Sequence, residues 1–352
     1  MRTLCIGRIC FLFASISALF SPSLVSAHEV YVLPADVVAR AITTPSFSLW
    51  DTLRSDMHLF VLWALIATSV VLLVFFVSIS RSLERALNPL LEKLPTYAPV
   101  VSRITIGLSF IAAAYYGALF GPELPLMETF GAVTPVITGL IAIIGLAITI
   151  GIYARVAALI MLVLFGIEIW THGTYMLTYS NYLGELLLLA LLGAHRLAVH
   201  HHAHDLKRSP RWFIALKAQL VPHAFLILRV GFGISLLYAS LYAKVIHNNL
   251  ALAVTEAYPN IVTFFGFEPH FLILGAAIIE ITLGIFFILG IEIRFTSLFV
   301  LFWLSVSLWY FGESVWPHII LIGIPIAFIC YGYDKYSLEG YFFKRKHHRP
   351  IL

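Results

Sequence analysis

The chain has 352 residues, of which 61% are hydrophobic and only 11% are charged, and its mean hydropathy is +0.95. Soluble domains carry about 25% charged residues, so this composition excludes an ordinary soluble protein and indicates a polytopic membrane protein. The formal net charge of +4 is too small to indicate a nucleic-acid partner.

The first segment, residues 1–27, has the pattern of a signal peptide. Arg2 and Arg8 make its start basic, its centre is apolar, and it ends in the small-x-small triplet Val25-Ser26-Ala27. We expect cleavage after Ala27, because the apolar centre is shorter than the ~20 residues of a membrane span. An uncleaved anchor is the alternative. Residues 28–56 then form a polar segment outside the cytoplasm.

Nine apolar runs follow, and each predicts a transmembrane helix. Runs of this continuity do not alternate as barrel strands do, so the predicted fold class is all-α. The runs lie near residues 58–79, 104–120, 132–153, 156–171, 181–195, 225–246, 270–290, 295–311 and 317–333.

The basic residues predict the orientation of these spans. Most of them lie in every second loop between the predicted spans, and these loops are all on one side of the membrane. The positive-inside rule assigns that side to the cytoplasm. The clusters on that side include Arg81 and Arg85, residues 207–217, and the tail at 344–349. The N-terminus is therefore predicted outside and the C-terminus inside, as a signal peptide also requires. The predicted location is the bacterial inner membrane.

An internal repeat divides the chain. A shift of 139 residues aligns Gly145, Gly151 and Arg155 with Gly284, Gly290 and Arg294, and it aligns Trp170 with Trp309. A shift of 126 aligns "RITIGLS" (103–109) with "RVGFGIS" (229–235). Two four-helix units in the same orientation are predicted, related by an axis along the membrane normal.

The repeat sets the predicted domain boundaries. They are an anchor helix (57–80), a cytoplasmic linker (81–102), a first unit (103–197), a His-rich linker (198–222), a second unit (223–340) and a basic tail (341–352).

The motif Gly-Ile-x-x-Arg occurs once in each unit, as "GIYAR" (151–155) and "GIEIR" (290–294). It separates the second and third apolar runs of the unit, so we expect a tight cytoplasmic hairpin there. The glycine would allow close packing at the helix end, and the arginine would anchor the turn at the lipid headgroups.

The second unit resembles the DoxX family of small four-helix membrane proteins. The resemblance rests on "LRVGFGISLLYASLYAK" (228–244), "GAAIIEITLGIFFILGIEIR" (275–294) and "GYDKYSLEG" (332–340). It implies roles for Arg229, Lys244, Glu280 and Arg294, and for Gly332 with Ser337-Leu338-Glu339. In the first unit, Ala118 stands where Lys244 does and Ile141 where Glu280 does.

The family is similar to the DoxD subunit of thiosulfate:quinone oxidoreductase. The resemblance therefore implies a membrane component of a redox complex. It suggests quinone as the cofactor, and the lipid bilayer and redox-protein subunits as partners.

Glu280 is the strongest candidate for a chemical role, because ionisable groups inside a bilayer are costly. Its expected partner is Arg229 or Lys244. The alternative is a purely structural ion pair, or a protonated Glu280 hydrogen-bonded between helices. Glu168 and Glu185 are expected in the outer halves of facing helices, as a carboxylate pair or as two interfacial acids that reach water.

His172, His318 and Trp316 lie near predicted outer helix ends. They are candidates for an outer quinone-headgroup or metal site, and Glu168 and Glu185 are further candidates for cofactor binding. The alternative is that the histidines and the tryptophan are ordinary interfacial anchors. The histidine-rich stretch "HRLAVHHHAH" (195–204) has no accompanying cysteine or carboxylate frame. It is therefore predicted to be a solvated loop, and no metal site is predicted.

The sequence is compatible with three classes of function. The first is the membrane component of a quinone-linked or other redox complex. The second is a structural or assembly protein without catalysis, and the third is a transporter of small solutes. No P-loop, HExxH motif or nucleophile elbow occurs, which argues against a self-contained ATPase, metalloprotease or hydrolase.

Overall fold

The computed structural model describes residues 33–80, 86–87, 89–194, 211–311 and 316–344. The predicted signal peptide, the histidine-rich stretch and most of the basic tail lie outside these residues. The described residues form helices and contain no β-strand. The prediction of an all-α chain is confirmed for this part of the protein.

The α-helices are numbered here in chain order. They are α1 Ala35–Thr43, α2 Leu49–Ser55, α3 Met57–Ser78, α4 Ala98–Tyr116, α5 Leu126–Phe130, α6 Thr134–Ile150, α7 Ala154–His172, α8 Ser180–Leu192, α9 Arg211–Leu220, α10 Ala224–Ser240, α11 Asn249–Ala257, α12 Pro259–Phe265, α13 Pro269–Leu289, α14 Ile293–Phe311, α15 Pro317–Tyr331 and α16 Leu338–Lys344.

Seven helical stretches of the described chain are long and apolar enough to cross a membrane. The protein is therefore a multi-pass α-helical membrane protein. One of the seven, Ala154–Leu192, contains both α7 and α8, joined by a 3₁₀ helix at Gly173–Tyr179. Helix α15 is apolar but only 15 residues long.

The helices pack in the same order in both halves of the chain. Helix α4 packs against α6, and α10 packs against α13. The fourth apolar helix of each half packs against the first of the other half, so that α8 lies on α10 and α15 lies on α4. These exchanged contacts join the two halves into one bundle.

The two hairpins have matching backbone conformations. Gly151 and Gly290 end α6 and α13 in the left-handed region, with φ of 84° and 71°. Two residues later, Tyr153 and Glu292 have φ of 47° and 45°, a conformation that side chains other than glycine adopt rarely. The end of the bundle that carries both turns is called the hairpin end below, and the opposite end is called the far end.

The hairpin arginines are buried, so the expectation that they anchor the turns at the headgroups is wrong. Arg155 is 8% exposed and Arg294 is 7% exposed. Arg155 donates to the Leu192 carbonyl at 2.9 Å, and Arg294 donates to the Ile329 carbonyl at 2.9 Å. Each guanidinium satisfies a carbonyl at the end of the next helix, where the helix dipole also favours a cation.

Glycine pairs allow two close helix crossings. Gly107 of α4 faces Gly145 of α6, and Gly233 of α10 faces Gly284 of α13. A Cβ on Gly284 would lie 2.8 Å from the Gly233 carbonyl oxygen, closer than side-chain carbons approach backbone atoms. Close approach through small residues is a common way for membrane helices to associate.

We expect Gly284→Ala to lower the free energy of unfolding by about 1–3 kcal/mol, because the added methyl overpacks this crossing. The matched control is Gly275→Ala in the same helix, where a Cβ meets nothing within 4 Å. The control should be neutral or should stabilise by up to about 1 kcal/mol through helix propensity. Thermal unfolding in detergent measures both variants, and equal behaviour of the two would contradict the crossing.

Helix α3 is attached to the bundle near its two ends. At the hairpin end, the Ser78 hydroxyl donates to Glu292 Oε1 at 2.8 Å. At the far end, the Trp63 ring contacts the Phe267 ring at 5.8 Å. Asn248 also exchanges hydrogen bonds with the backbone of Phe47, in the segment that precedes α3. Between these points the side chains of α3 are exposed, which suits contact with lipid.

Candidate functional site

Lys244 and Glu280 form an ion pair inside the second half of the bundle. The Lys244 Nζ lies 2.9 Å from Glu280 Oε2. The Lys244 side chain is 7% exposed and the Glu280 side chain is 18% exposed. Lys244 is one of the two partners expected for Glu280. An unpaired charge in the bilayer would cost several kcal/mol, so each of these side chains stabilises the charge of the other.

A local change of helix type places Lys244 in this position. Helix α10 continues as a π-helix over Leu241–Ile246, and the His247 N–H donates to the Tyr242 carbonyl five residues earlier. The wider turn carries Ala243 and Lys244 on the buried side. Short π-helical segments occur frequently at functional sites.

Glu280 lies deep in the membrane-spanning part of α13. At 1.5 Å per residue it is about 14 Å from the helix end at Leu289. It is also one helical turn from the crossing of Gly233 and Gly284, where α10 and α13 are closest. The close crossing and the buried ion pair therefore join the same two helices.

Arg229 does not pair with Glu280, contrary to the second expectation. Its guanidinium donates to the carbonyls of Phe287 and Ile288 at 2.8 and 3.1 Å, at the hairpin end of α13. Its Nε lies 3.9 Å from Asp334. Arg229 and Arg294 thus serve the hairpin end, where Glu339 lies near both cations. Lys244 and Glu280 come together separately, inside the bundle.

The segment after α15 folds back onto the second hairpin. The Glu339 N–H donates to the Gly290 carbonyl at 3.2 Å, and Glu339 Oε2 accepts from the Ile293 N–H at 3.1 Å. Burial and, to a smaller extent, the nearby Glu292 carboxyl raise the pKa of Glu339 to about 8, although the cations Arg294 and Arg229 oppose the shift. Burial also raises the pKa of Glu292, while the Ser78 hydroxyl opposes this.

We expect the free energy of unfolding to fall as pH rises toward about 8. Folded Glu339 keeps its proton up to a pKa of about 8, while the unfolded carboxyl loses it near the ordinary 4.5. The folded state therefore binds more protons across this window, and raising the pH removes that stabilisation. The unfolding temperature in detergent should decline between these pH values, and Glu339→Gln should flatten the profile. An unchanged slope in Glu339→Gln would contradict this assignment.

Glu168 is fully buried and has its own partners. Its Oε2 lies 2.9 Å from His172 Nδ1 and accepts from the hydroxyls of Thr129 and Thr171 at 3.3 and 3.4 Å. It lies about 21 Å along α7 from the hairpin end, counted from Ala154. Glu168 therefore lies toward the far end as expected, but it does not reach water.

Glu185 is also fully buried, and it lies near the middle of α8, closer to the hairpin end than Glu168 does. It is about 10 Å from the end of α8 at Leu192, on the hairpin side. Its Oε1 accepts from the Thr105 hydroxyl at 3.4 Å. The expected outer carboxylate pair with Glu168 is therefore wrong, because the two acids lie at depths that differ by about 10 Å.

Trp316 and His318 are buried, each 5% exposed, so they are not exposed interfacial anchors. The Trp316 ring stacks on Tyr116, with centroids 4.9 Å apart and planes 11° apart. By contrast, Trp170 and Trp309 are 91% and 84% exposed at equivalent positions of the repeat. These two tryptophans have the placement that membrane anchors require.

Sequence reasoning did not identify a cluster of acid and tyrosine side chains at the far end of the first half. Glu123 Oε1 accepts from the Tyr175 hydroxyl at 2.9 Å and from the Tyr179 hydroxyl. The Tyr182 hydroxyl is hydrogen-bonded to Ser109 at 2.8 Å. The spacing of these tyrosines, four and three residues, is the one signal that could have shown a shared helical face.

Among the described residues, no group of three or more His, Cys, Asp or Glu side chains is arranged to hold a metal ion. No protein-family model, curated protein or solved structure matches the chain.

Proposed function

We propose that the chain is the membrane component of a quinone-linked redox complex, and that Lys244 and Glu280 bind the quinone headgroup. The observation that carries this proposal is an ion pair in the middle of an apolar bundle whose acid keeps 18% of its side chain exposed. A fully buried pair would serve folding alone, whereas partial exposure leaves Glu280 accessible to a ligand that arrives from the bilayer.

The two side chains have complementary chemistry for such a headgroup. The Lys244 ammonium can donate a hydrogen bond to a quinone carbonyl, and Glu280 can hold or release a proton beside it. Reduction of a quinone to the quinol takes up two electrons and two protons. In this proposal a redox-active partner subunit supplies the electrons, and the ion pair holds the carbonyl oxygen that takes up a proton.

The proposal includes a topology of nine spans in a bacterial inner membrane, as two tandem DoxX-like units after an anchor helix. In this proposal the 3₁₀ helix between α7 and α8 separates two spans within the longest apolar stretch, and the shorter apolar helix α15 is counted as the ninth span. The hairpin end would then be cytoplasmic, because the basic residues of the sequence cluster on that side. The far end, with Lys244, would face outward.

Purification in mild detergent, with identification of the subunits and lipids that co-purify, tests the function. We expect a redox-protein subunit and a lipid-soluble quinone in fixed ratio to the chain. A chain that co-purifies only with assembly factors would favour the structural role. A chain that transports a solute in liposomes without a redox partner would favour the transporter, and either result would contradict the proposal.

A further inference from the structure

A row of polar side chains crosses the interface between α4 and α8 in the first half of the chain. Ser102, Thr105 and Ser109 follow one another on α4 at spacings of three and four residues, which places them on one helical face. Across from them, α8 presents Tyr182 and Glu185. Ser102, Ser109, Tyr182 and Glu185 are all 0% exposed.

Glu185 is the acid of this row. It accepts from the Thr105 hydroxyl at 3.4 Å. The Ser102 hydroxyl, one helical turn before Thr105 on the same face of α4, is buried without a hydrogen-bond partner among the described residues. The Glu185 Oε2 is buried and has no hydrogen-bond partner within the described part of the chain. Hydroxyl groups lower the cost of burying a carboxyl, but they do not neutralise a carboxylate as a cation would. This surrounding therefore favours a carboxyl that holds a proton.

The row continues from Glu185 toward the far end. Tyr182 lies one helical turn from Glu185 and is hydrogen-bonded to Ser109. The rings of Tyr182 and Tyr179 have centroids 6.1 Å apart, and the Tyr179 hydroxyl donates to Glu123. Glu185, Tyr182 and Tyr179 follow one another at spacings of three residues, roughly 5–6 Å between side-chain bases, and the last step to Glu123 is a direct hydrogen bond.

The second half lacks the acid and most of this row at equivalent positions, although Ser235 and His318 stand where Ser109 and Tyr179 do. Leu228 and Gly231 replace Ser102 and Thr105, while Leu321 and Ile324 replace Tyr182 and Glu185. Since the same helix packing forms without these polar groups, the fold does not require them. A buried polar group that packing does not need, at a real cost in desolvation, is a candidate for function.

We infer that Glu185 is a proton-binding site of the first half, and that Tyr182, Tyr179 and Glu123 connect it to the far end of the bundle. The Glu185 O–H bond breaks, its electron pair stays on the carboxylate, and the proton passes along the hydroxyls to Glu123 and then to water. The reverse steps reload Glu185, and no oxidant or reductant takes part.

Other ionisable groups lie near this path. Arg103, which is 2% exposed, follows Ser102 on α4, and the Tyr175 hydroxyl shares Glu123 with Tyr179. The inference does not depend on quinone binding at Lys244 and Glu280, because the two sites have no residue in common.

Infrared spectroscopy of the purified protein tests the proton on Glu185. We expect a carbonyl stretching band of a protonated carboxyl that disappears in Glu185→Gln. Glu168→Gln is the matched control, because Glu168 is equally buried but lies about 10 Å away in depth. Loss of the band in the control and its persistence in Glu185→Gln would overturn the inference.

The rate of deuterium exchange at this band tests the path. Tyr182→Phe keeps the ring contacts with Phe110 and Phe120 and removes only the hydroxyl. It should slow the exchange about tenfold, which corresponds to roughly 1.4 kcal/mol in the barrier. Tyr310→Phe, a tyrosine of α14 outside the path, should not change the rate. Equal rates in all three proteins would overturn the path.

Thr105→Val keeps the test decisive if Glu185→Gln does not fold. Valine has nearly the same shape as threonine but lacks the donor of the 3.4 Å hydrogen bond to Glu185. The band of a protonated Glu185 should then shift to higher frequency. A band that does not move in Thr105→Val would mean that it belongs to another carboxyl, and the inference would fail.

Discussion

Replacing Glu280 with Gln is expected to abolish the physiological activity of the protein while leaving its expression and detergent stability near wild type. The amide has almost the shape of the carboxyl and still accepts a hydrogen bond from Lys244, whose Nζ lies 2.9 Å away. Gln cannot hold or release a proton at this position, however. Complementation of a deletion strain, corrected for the amount of protein in the membrane, measures the effect.

The matched control is Ile141→Gln, at the equivalent position of the first half. Ile141 is 0% exposed, so an added amide there leaves buried polar atoms without partners and costs about 1–3 kcal/mol. We expect it to impair packing or insertion without a selective loss of activity per molecule. Wild-type activity in Glu280→Gln would rule out a chemical role for the acid, as would a defect that reduced protein level fully explains.

The second large effect is on stability. Lys244→Ala should lower the free energy of unfolding by about 3 kcal/mol, because Glu280 would remain deep in the bundle without its cation. Glu280→Ile should cost a similar amount, since it leaves Lys244 unpaired. Unfolding of the purified variants in detergent measures both losses.

The double variant separates the ion pair from its individual charges. Lys244→Ala with Glu280→Ile gives the second half the residues that the first half has at Ala118 and Ile141. A buried ion pair that is removed as a whole often costs little, because its desolvation penalty disappears as well. We therefore expect the double variant to recover most of the stability lost by each single variant, without recovering activity. If the two losses simply add, the two side chains do not act as a pair.

The sequence was sufficient for the helices and for the acid of the ion pair, while it left the partner open between Arg229 and Lys244. The apolar runs predicted helices because a chain in lipid must satisfy its backbone internally, and the described residues follow them. Glu280 was selected because a lone acid in an apolar run requires a partner, and Lys244 was one of the two cations expected to pair with it. The first argument depends on residue type alone, whereas the choice of partner also used the family resemblance.

The depth of a side chain in the membrane, and the direction in which it faces, could not be predicted from the sequence. The position of Glu185 near the start of an apolar run predicted a place in the outer half. The 3₁₀ helix Gly173–Tyr179 precedes α8 and leaves that helix only 13 residues long, so Glu185 lies near its middle, about 10 Å from the hairpin end. Nothing in the local sequence distinguishes this arrangement from a full-length span.

The same limit applies to the side chains near helix ends. Four side chains occupy positions typical of interfacial anchors but are buried in the structure. They are Arg155, Arg294, Trp316 and His318. Their burial follows from the contacts between the two halves and from the carbonyls at the ends of neighbouring helices. Such contacts join residues that are distant in the chain, so local patterns do not predict them.

Binding of a short-chain quinone analogue to the purified protein tests the central proposal most directly. The titration compares wild type with the double variant Lys244→Ala, Glu280→Ile, after thermal unfolding has shown that both are folded. The proposal predicts saturable binding of one analogue per wild-type chain and a loss of at least tenfold in affinity in the double variant, roughly 1.4 kcal/mol. Equal affinity in the two proteins, or no saturable binding to wild type, would contradict it.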